Sequence, residues 1–145
     1  TYISCISSSS DSDSDSDSGS STTTDNTITP PWTKQLGTSS DDSGHGVTTD
    51  SSGNIFVTGI TNGGLDGNTS SGLYDIFLVK YNSSGTKQWT KQLGTPYSDS
   101  GNGVSTDSSG NIYVTGTTGG GLDGNTSSGS GDIFLVKYNS DGVKQ

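Results

Sequence analysis

The chain has 145 residues, 23% of them hydrophobic, and a formal net charge of −9. All fifteen acidic residues are Asp and all six basic residues are Lys; without Glu or Arg, two good helix formers, helix is not expected. The same balance argues against a nucleic-acid partner, which needs clustered basic residues, and no apolar run approaches the ~18 residues of a spanning helix.

Residues 1–31 form one compositional block, in which Cys5 precedes an alternating Ser/Asp run and Pro30 and Pro31 close the stretch. Five Asp and no Lys make it self-repelling, so a disordered, extended tether is expected. Cys5 is the single cysteine and has no partner for an internal disulfide. Two readings of it stand side by side. It is an incidental thiol, or it is the lipidated Cys of a bacterial lipoprotein, because Ile3-Ser4-Cys5 resembles the end of such a signal although Tyr2 stands where Leu is usual. The second reading implies a bacterial cell-envelope or extracellular location, possible attachment to the outer membrane, and membrane contact only through a lipid anchor. The chain opens with Thr, which suggests a fragment of a longer protein.

From Trp32 to Gln88 and again from Trp89 to Gln145 the sequence repeats with a period of 57 and no insertion; 45 of the 57 aligned positions are identical. The division expected is therefore 1–31 tether, 32–88 first repeat and 89–145 second repeat. In each repeat the apolar residues fall into four short runs between turn signals, the pattern of a small-core β protein. In the first repeat these are Gly46 to Asp50, Asn54 to Ile60, Asp75 to Asn82 and Lys87 to Gly94. The phrase D-S-S-G-N-I-[FY]-V-T-G, at Asp50 to Gly59 and Asp107 to Gly116, joins the first two as a hairpin corner. In it Gly53 and Gly110 supply a positive φ, and Asp50/Asn54 and Asp107/Asn111 cap the turn.

Ile76 to Val79 are four consecutive apolar residues, so the third run is expected to be covered on both faces, whereas the fourth alternates. Four-stranded antiparallel units stacked face to face, at this period, are propeller-type blades. The residues resemble the bacterial β-propeller repeat often described as the seven-bladed β-propeller repeat. Its signature is similar to Asp50–Gly59 followed by Asp75–Trp89, and to Asp107–Gly116 followed by Asp132–Gln145. The resemblance implies an all-β protein of two four-stranded antiparallel blades and no assigned activity, in a family frequent among secreted and surface bacterial proteins. Propellers close with roughly four to eight blades. Two blades therefore imply a piece of a longer protein or self-association. Trp32 to Gly37 repeats the fourth run and is expected to be a strand that could complete the final blade, whose own fourth run begins at Lys144-Gln145.

Blade topology puts the loops Thr38 to Gly46 and Asn62 to Tyr74 on one rim with their counterparts Thr95 to Gly103 and Gly119 to Gly131. Seven of the twelve positions that differ between repeats fall there: Ser39, Ser40, Asp41, His45, Asn62, Leu73 and Tyr74. With Pro96 and Tyr97 in the second copy, these define the expected binding face for a protein or glycan. The rim also carries Asp41, Asp42, Asp66, Asn68, Asp99, Asp123 and Asn125, oxygen donors of the kind Ca²⁺ takes, so a calcium-stabilised adhesin-like module is an alternative. No stretch fits a calcium loop and there is no Glu, and turn-forming Asp and Asn remain the simpler reading, with no cofactor expected.

His45 has Asn102 as its counterpart and reads as an exposed loop residue, not as half of a nucleophile–base pair. A propeller hydrolase or lyase is the enzymatic alternative; a non-catalytic scaffold or interaction module is the reading preferred. Trp89, Tyr81 and Tyr138 are assigned to inter-blade packing rather than a sugar platform. Lys80 and Lys137 close the third strands, with an Asp of the neighbouring blade as a possible partner.

Overall fold

The computed structural model describes residues 31–145. The predicted tether therefore lies outside the described residues, Pro31 excepted, and so does Cys5. Seven strands follow in chain order: β1 (Asp42–Thr49), β2 (Ile55–Thr61), β3 (Asp75–Tyr81), β4 (Lys87–Leu93), β5 (Asp99–Thr106), β6 (Ile112–Thr118) and β7 (Asp132–Tyr138). They form two antiparallel sheets, β1-β2-β3-β4 and β5-β6-β7. A single 3₁₀ turn, Leu65–Gly67 or Leu122–Gly124, interrupts the long loop of each repeat.

The all-β architecture follows the sequence pattern, with three differences. The second sheet has three strands rather than four; beyond β7 there is an isolated bridge, Tyr138 to Lys144. The first strand begins at Asp42, four residues before the apolar run, because Asp42, Ser43 and Gly44 pair with Thr61, Ile60 and Gly59. A bulge between Gly44 and Gly46 then resets the register, and the same bulge recurs between Gly101 and Gly103. Third, Trp32 to Gly37 makes no strand ladder and does not join the second sheet. It lies across the first sheet instead, where Leu36 packs with Leu65, Phe77, Val79 and Tyr81.

The sheets stack face to face. Phe56, Ile76 and Leu78 of the first meet Ile112, Val114, Val136 and Tyr138 of the second, and Trp89, Leu93, Val104 and Phe134 close the margin. Burying such side chains contributes ~1.5–3 kcal/mol each and is the main cohesive term between the sheets. Contact is greatest where β5 meets β1 and falls away through β2 and β3, so the sheets diverge outward as blades do. Tyr81 and Tyr138 are buried and Trp89 tilts against Phe56 with ring centroids 6.1 Å apart, all of them packing groups. Lys80 reaches the other blade, but its partner is the Ser140 carbonyl at 3.0 Å rather than a carboxylate.

Candidate binding rim

The tight turns occupy one edge of the stack. In the first, Asp50 accepts from the backbone N–H groups of Ser52 and Asn54 and from the Asn54 side chain, at 2.8–2.9 Å, and Gly53 at φ 76° turns the chain. Asp107, Ser109 and Asn111 repeat these bonds at the same lengths, and the Tyr113 hydroxyl adds one at 3.0 Å. The Asn111 side chain, then its N–H, hold the Asp107 carboxyl down at about 2. Burial pushes Asp50 up, but the Asn54 bonds outweigh it and the net shift is also downward. These aspartates are turn caps whose acceptors are occupied.

The long loops share the opposite edge. The Asn62 N–H donates to the Asp41 carbonyl at 2.9 Å, and the Gly119 N–H to the Ser98 carbonyl at 3.0 Å, so each β2–β3 or β6–β7 loop is tied to the segment entering its own sheet. Across the sheets Tyr74 bridges to Ser98, and the Asp99 N–H donates to the Tyr74 carbonyl at 2.7 Å. The tie fixes where the repeats differ. Leu73 and Tyr97 are each 61% exposed and, with Ser98 and Gly119 to Gly121, line a cleft of about 590 Å³. Asp41 joins the same edge through the Tyr74 hydroxyl at 3.5 Å, and Ser39 and Ser40 are exposed beside it.

The oxygen donors considered for calcium serve separate local roles. Asp42 and Asp99 each accept from the N–H and hydroxyl of the threonine four residues before, Thr38 and Thr95, and Asp99 also takes the Thr118 hydroxyl. Asp66 and Asp123 adopt φ 54°, a left-handed conformation rare outside glycine, which aims their carboxylates at Lys87 and Lys144. Burial pushes Asp66 up, but the Lys87 and Thr90 hydrogen bonds carry it below its ordinary value. Asn68 and Asn125 donate to the Leu65 and Leu122 carbonyls at 2.7 Å. Among the described residues no three His, Cys, Asp or Glu side chains converge.

His45 is exposed and sits at the bulge of β1, in a strand rather than a loop. Its Nδ1 lies 3.1 Å from the Gly101 carbonyl oxygen and 3.4 Å from Ser100 Oγ. A carbonyl only accepts, so Nδ1 carries the proton and is not free to take one from Ser100.

One structural pair went unread in the sequence. Asp75 is fully buried and accepts from the Ser71 N–H and from Gln92 Nε2, both at 2.7 Å. Gln92 also donates to the Gly63 carbonyl at 2.9 Å and accepts from the Leu65 N–H at 3.0 Å, so β4 is locked to the loop. The signal was the Asp that opens the third strand in both repeats, Asp75 and Asp132.

Antiparallel sheets of one repeated sequence, stacked through their faces and fanning outward from their first strands, define a β-propeller-type repeat architecture. Residues 32–66 and 88–123 match the SBBP beta-propeller repeat, and the two repeats belong to that family. Each match begins at or beside the W-T-K-Q-L-G segment and ends in the long loop, leaving the third strands outside it. No relative among curated proteins matches the chain.

Proposed function

We propose that the chain is a non-catalytic interaction module of a surface or secreted bacterial protein, in which the stacked blades are a scaffold and the long-loop rim recognises a protein or glycan. The observation that carries this reading is the gathering of repeat-specific residues at the rim. Leu73 and Tyr97 both stand exposed in the lining of one cleft, and their counterparts in the other copy are Ser130 and Ser40. Two copies otherwise 45/57 identical are free to diverge where the fold does not constrain them and a ligand does. The envelope location rests on the lipoprotein reading of Cys5 and on the family's frequency in exported proteins.

The engaged state of the polar groups supports a non-catalytic role: Asp42, Asp66, Asp99 and Asp123 are held by threonines or lysines of their own or neighbouring segments, and His45 donates to a carbonyl. The test exchanges rim residues for their own counterparts, Leu73→Ser and Tyr97→Ser, and compares binding to a glycan array and to isolated envelope proteins. Loss of binding with an unchanged circular dichroism spectrum is expected. Equal binding by both forms, or a hydrolase or lyase activity that disappears in His45→Ala, would overturn the reading. Because Asp66 and Asp123 are held by lysines, melting is expected to be the same in millimolar Ca²⁺ and in chelator.

A further inference from the structure

We propose that the second sheet binds a second copy of this chain, whose Trp32–Gly37 segment adds as a fourth strand along β7 while its first sheet stacks on Ile133 and Leu135. The contact runs along β7 and does not use Leu73 or Tyr97, so it can fail while binding through those two residues persists.

The first argument is sequence identity at both halves of the contact. W-T-K-Q-L-G occurs at Trp32–Gly37 and at Trp89–Gly94, and D-I-F-L-V-K-Y is both β3 and β7. The second hexapeptide, within β4, pairs with β3 from Ile76↔Leu93 to Lys80↔Trp89. The first makes no ladder, and the outer edge of β7 carries no long strand among the described residues. Beside that edge runs a groove of about 920 Å³.

The groove holds the polar fittings of a missing strand. In the first sheet Gln92 is bonded to Leu65, Gly63 and Asp75, and the Thr90 hydroxyl donates to Asp66. Their counterparts Leu122, Gly120, Asp132 and Asp123 line the groove. Gln35 and Thr33 of the incoming strand are the residues that match them.

The segment is also already in position. A Cβ added at Gly85 would meet Trp32 Cδ2 at 2.8 Å and Lys34 Cε at 3.0 Å; one at Gly142 would meet Trp89 Cδ2 at 3.1 Å and Lys91 Cε at 2.7 Å. Trp32–Gly37 thus lies on the first sheet as β4 lies on the second. The displacement that carries one sheet onto the next therefore also carries this segment onto β4. Applied once more, it seats a second copy on the second sheet without rearrangement.

The faces agree. Ile133 is 92% exposed and Leu135 72%, whereas Ile76 and Leu78 are buried by the second sheet. On the other side Val47 is 67% exposed while its counterpart Val104 packs in the interface. Gly44 has only Val57 Cγ1 nearby, at 3.8 Å, whereas Gly101 lies so close to the first sheet that a Cβ would come 2.4 Å from Thr58 Oγ1 and 2.9 Å from Ile76 Cγ2. The two surfaces differ, so the association is head-to-tail.

The test is the solution mass of the 145-residue chain by sedimentation equilibrium. The expected mass is at least about twice 14.7 kDa at ~100 μM, falling on dilution. Gly44→Gln places a side chain where the chain itself has room but the neighbouring copy does not, and Leu135→Asp charges the exposed face. Both are expected to give monomers with an unchanged circular dichroism spectrum. In chains carrying Cys5→Ser, mixing Lys34→Cys with Leu135→Cys is expected to give a disulfide-linked dimer, because the register places those positions opposite each other. A monomer at every concentration, an oligomer indifferent to both substitutions, or no cross-link in the mixture would each overturn the proposal.

Discussion

The third strands of the two repeats have the same seven residues and opposite surroundings. Ile76 and Leu78 in β3 are 3% and 2% exposed; Ile133 and Leu135 in β7 are 92% and 72% exposed. Each strand has the same ladder with its second strand, from Thr61↔Asp75 to Ile55↔Tyr81 and from Thr118↔Asp132 to Ile112↔Tyr138, so the difference lies in the other neighbours: β3 has β4 on its far edge and the second sheet on its face, and β7 has neither among the described residues. In this architecture a strand's backbone pairs with the strands of its own sheet, and its apolar side chains are covered by the next sheet. Sheet formation and core formation are therefore separable, and matched substitutions in the two copies measure them apart.

The largest expected contrast is between Leu78→Ala and Leu135→Ala. Truncating a buried leucine removes its transfer free energy and leaves a cavity, so Leu78→Ala is expected to destabilise by ~2–5 kcal/mol. Leu135→Ala, in dilute chain, is expected to stay within ~0.5 kcal/mol. Urea unfolding at low concentration checks both. Equal effects would mean that Leu135 is covered even in the dispersed chain. A Leu135→Ala effect that grows with protein concentration would instead report stacking between copies.

A smaller contrast comes from one glycine of the long loops. A Cβ at Gly72 would lie 2.2 Å from the Thr95 carbonyl oxygen and 2.5 Å from the Pro96 carbonyl carbon, so the link between the sheets must move to admit it. At the matching Gly129 nothing stands within 4 Å. Gly72→Ala is expected to lower stability by ~1–3 kcal/mol, the usual cost of forced overpacking. In dilute chain Gly129→Ala is expected to be neutral or slightly stabilising, since alanine narrows the unfolded ensemble. Thermal unfolding of the two variants decides it, and similar melting shifts would show that the link yields freely.

Much of this was legible in the sequence because a repeat samples each position twice. The hairpin at Asp50, the apolar third strand and the gathering of the long loops all follow from local turn chemistry and period. Asp42 to Gly44 read as loop because Asp and Gly are poor strand formers; their pairing with Thr61 to Gly59 is a tertiary effect that overrides propensity. Trp32 to Gly37 read as strand because its residues equal those of β4, but it is held on the face of the first sheet, away from the open edge of β7, and ladders with no strand among the described residues. The Asp75–Gln92 tie joins residues 17 apart across two strands, beyond what spacing reveals. Which aspartates bond lysines and which bond backbone was likewise a matter of three-dimensional placement.

The smallest expected effect separates the two turn caps. Position 56 is a phenylalanine buried against Trp89, whereas its counterpart Tyr113 reaches back to Asp107 Oδ2 at 3.0 Å. Asp107 therefore accepts one more hydrogen bond than Asp50, and the bond in turn pushes the Tyr113 phenol up. Folding lowers the Asp107 pKa from 3.8 to about 2, so on acidification the unfolded chain takes up its proton first. The stabilisation is complete above about 3.8 and is lost as pH falls from there towards about 2. Tyr113→Phe makes the second cap chemically equal to the first. Its Asp107 titration, followed by the carboxyl carbon shift, is expected to move up from about 2 towards the midpoint of Asp50, with that of Asp50 unchanged. An unmoved Asp107 midpoint would show that Asn111 and the backbone donors hold the carboxylate unaided, and that the two turns are equivalent despite the extra hydroxyl.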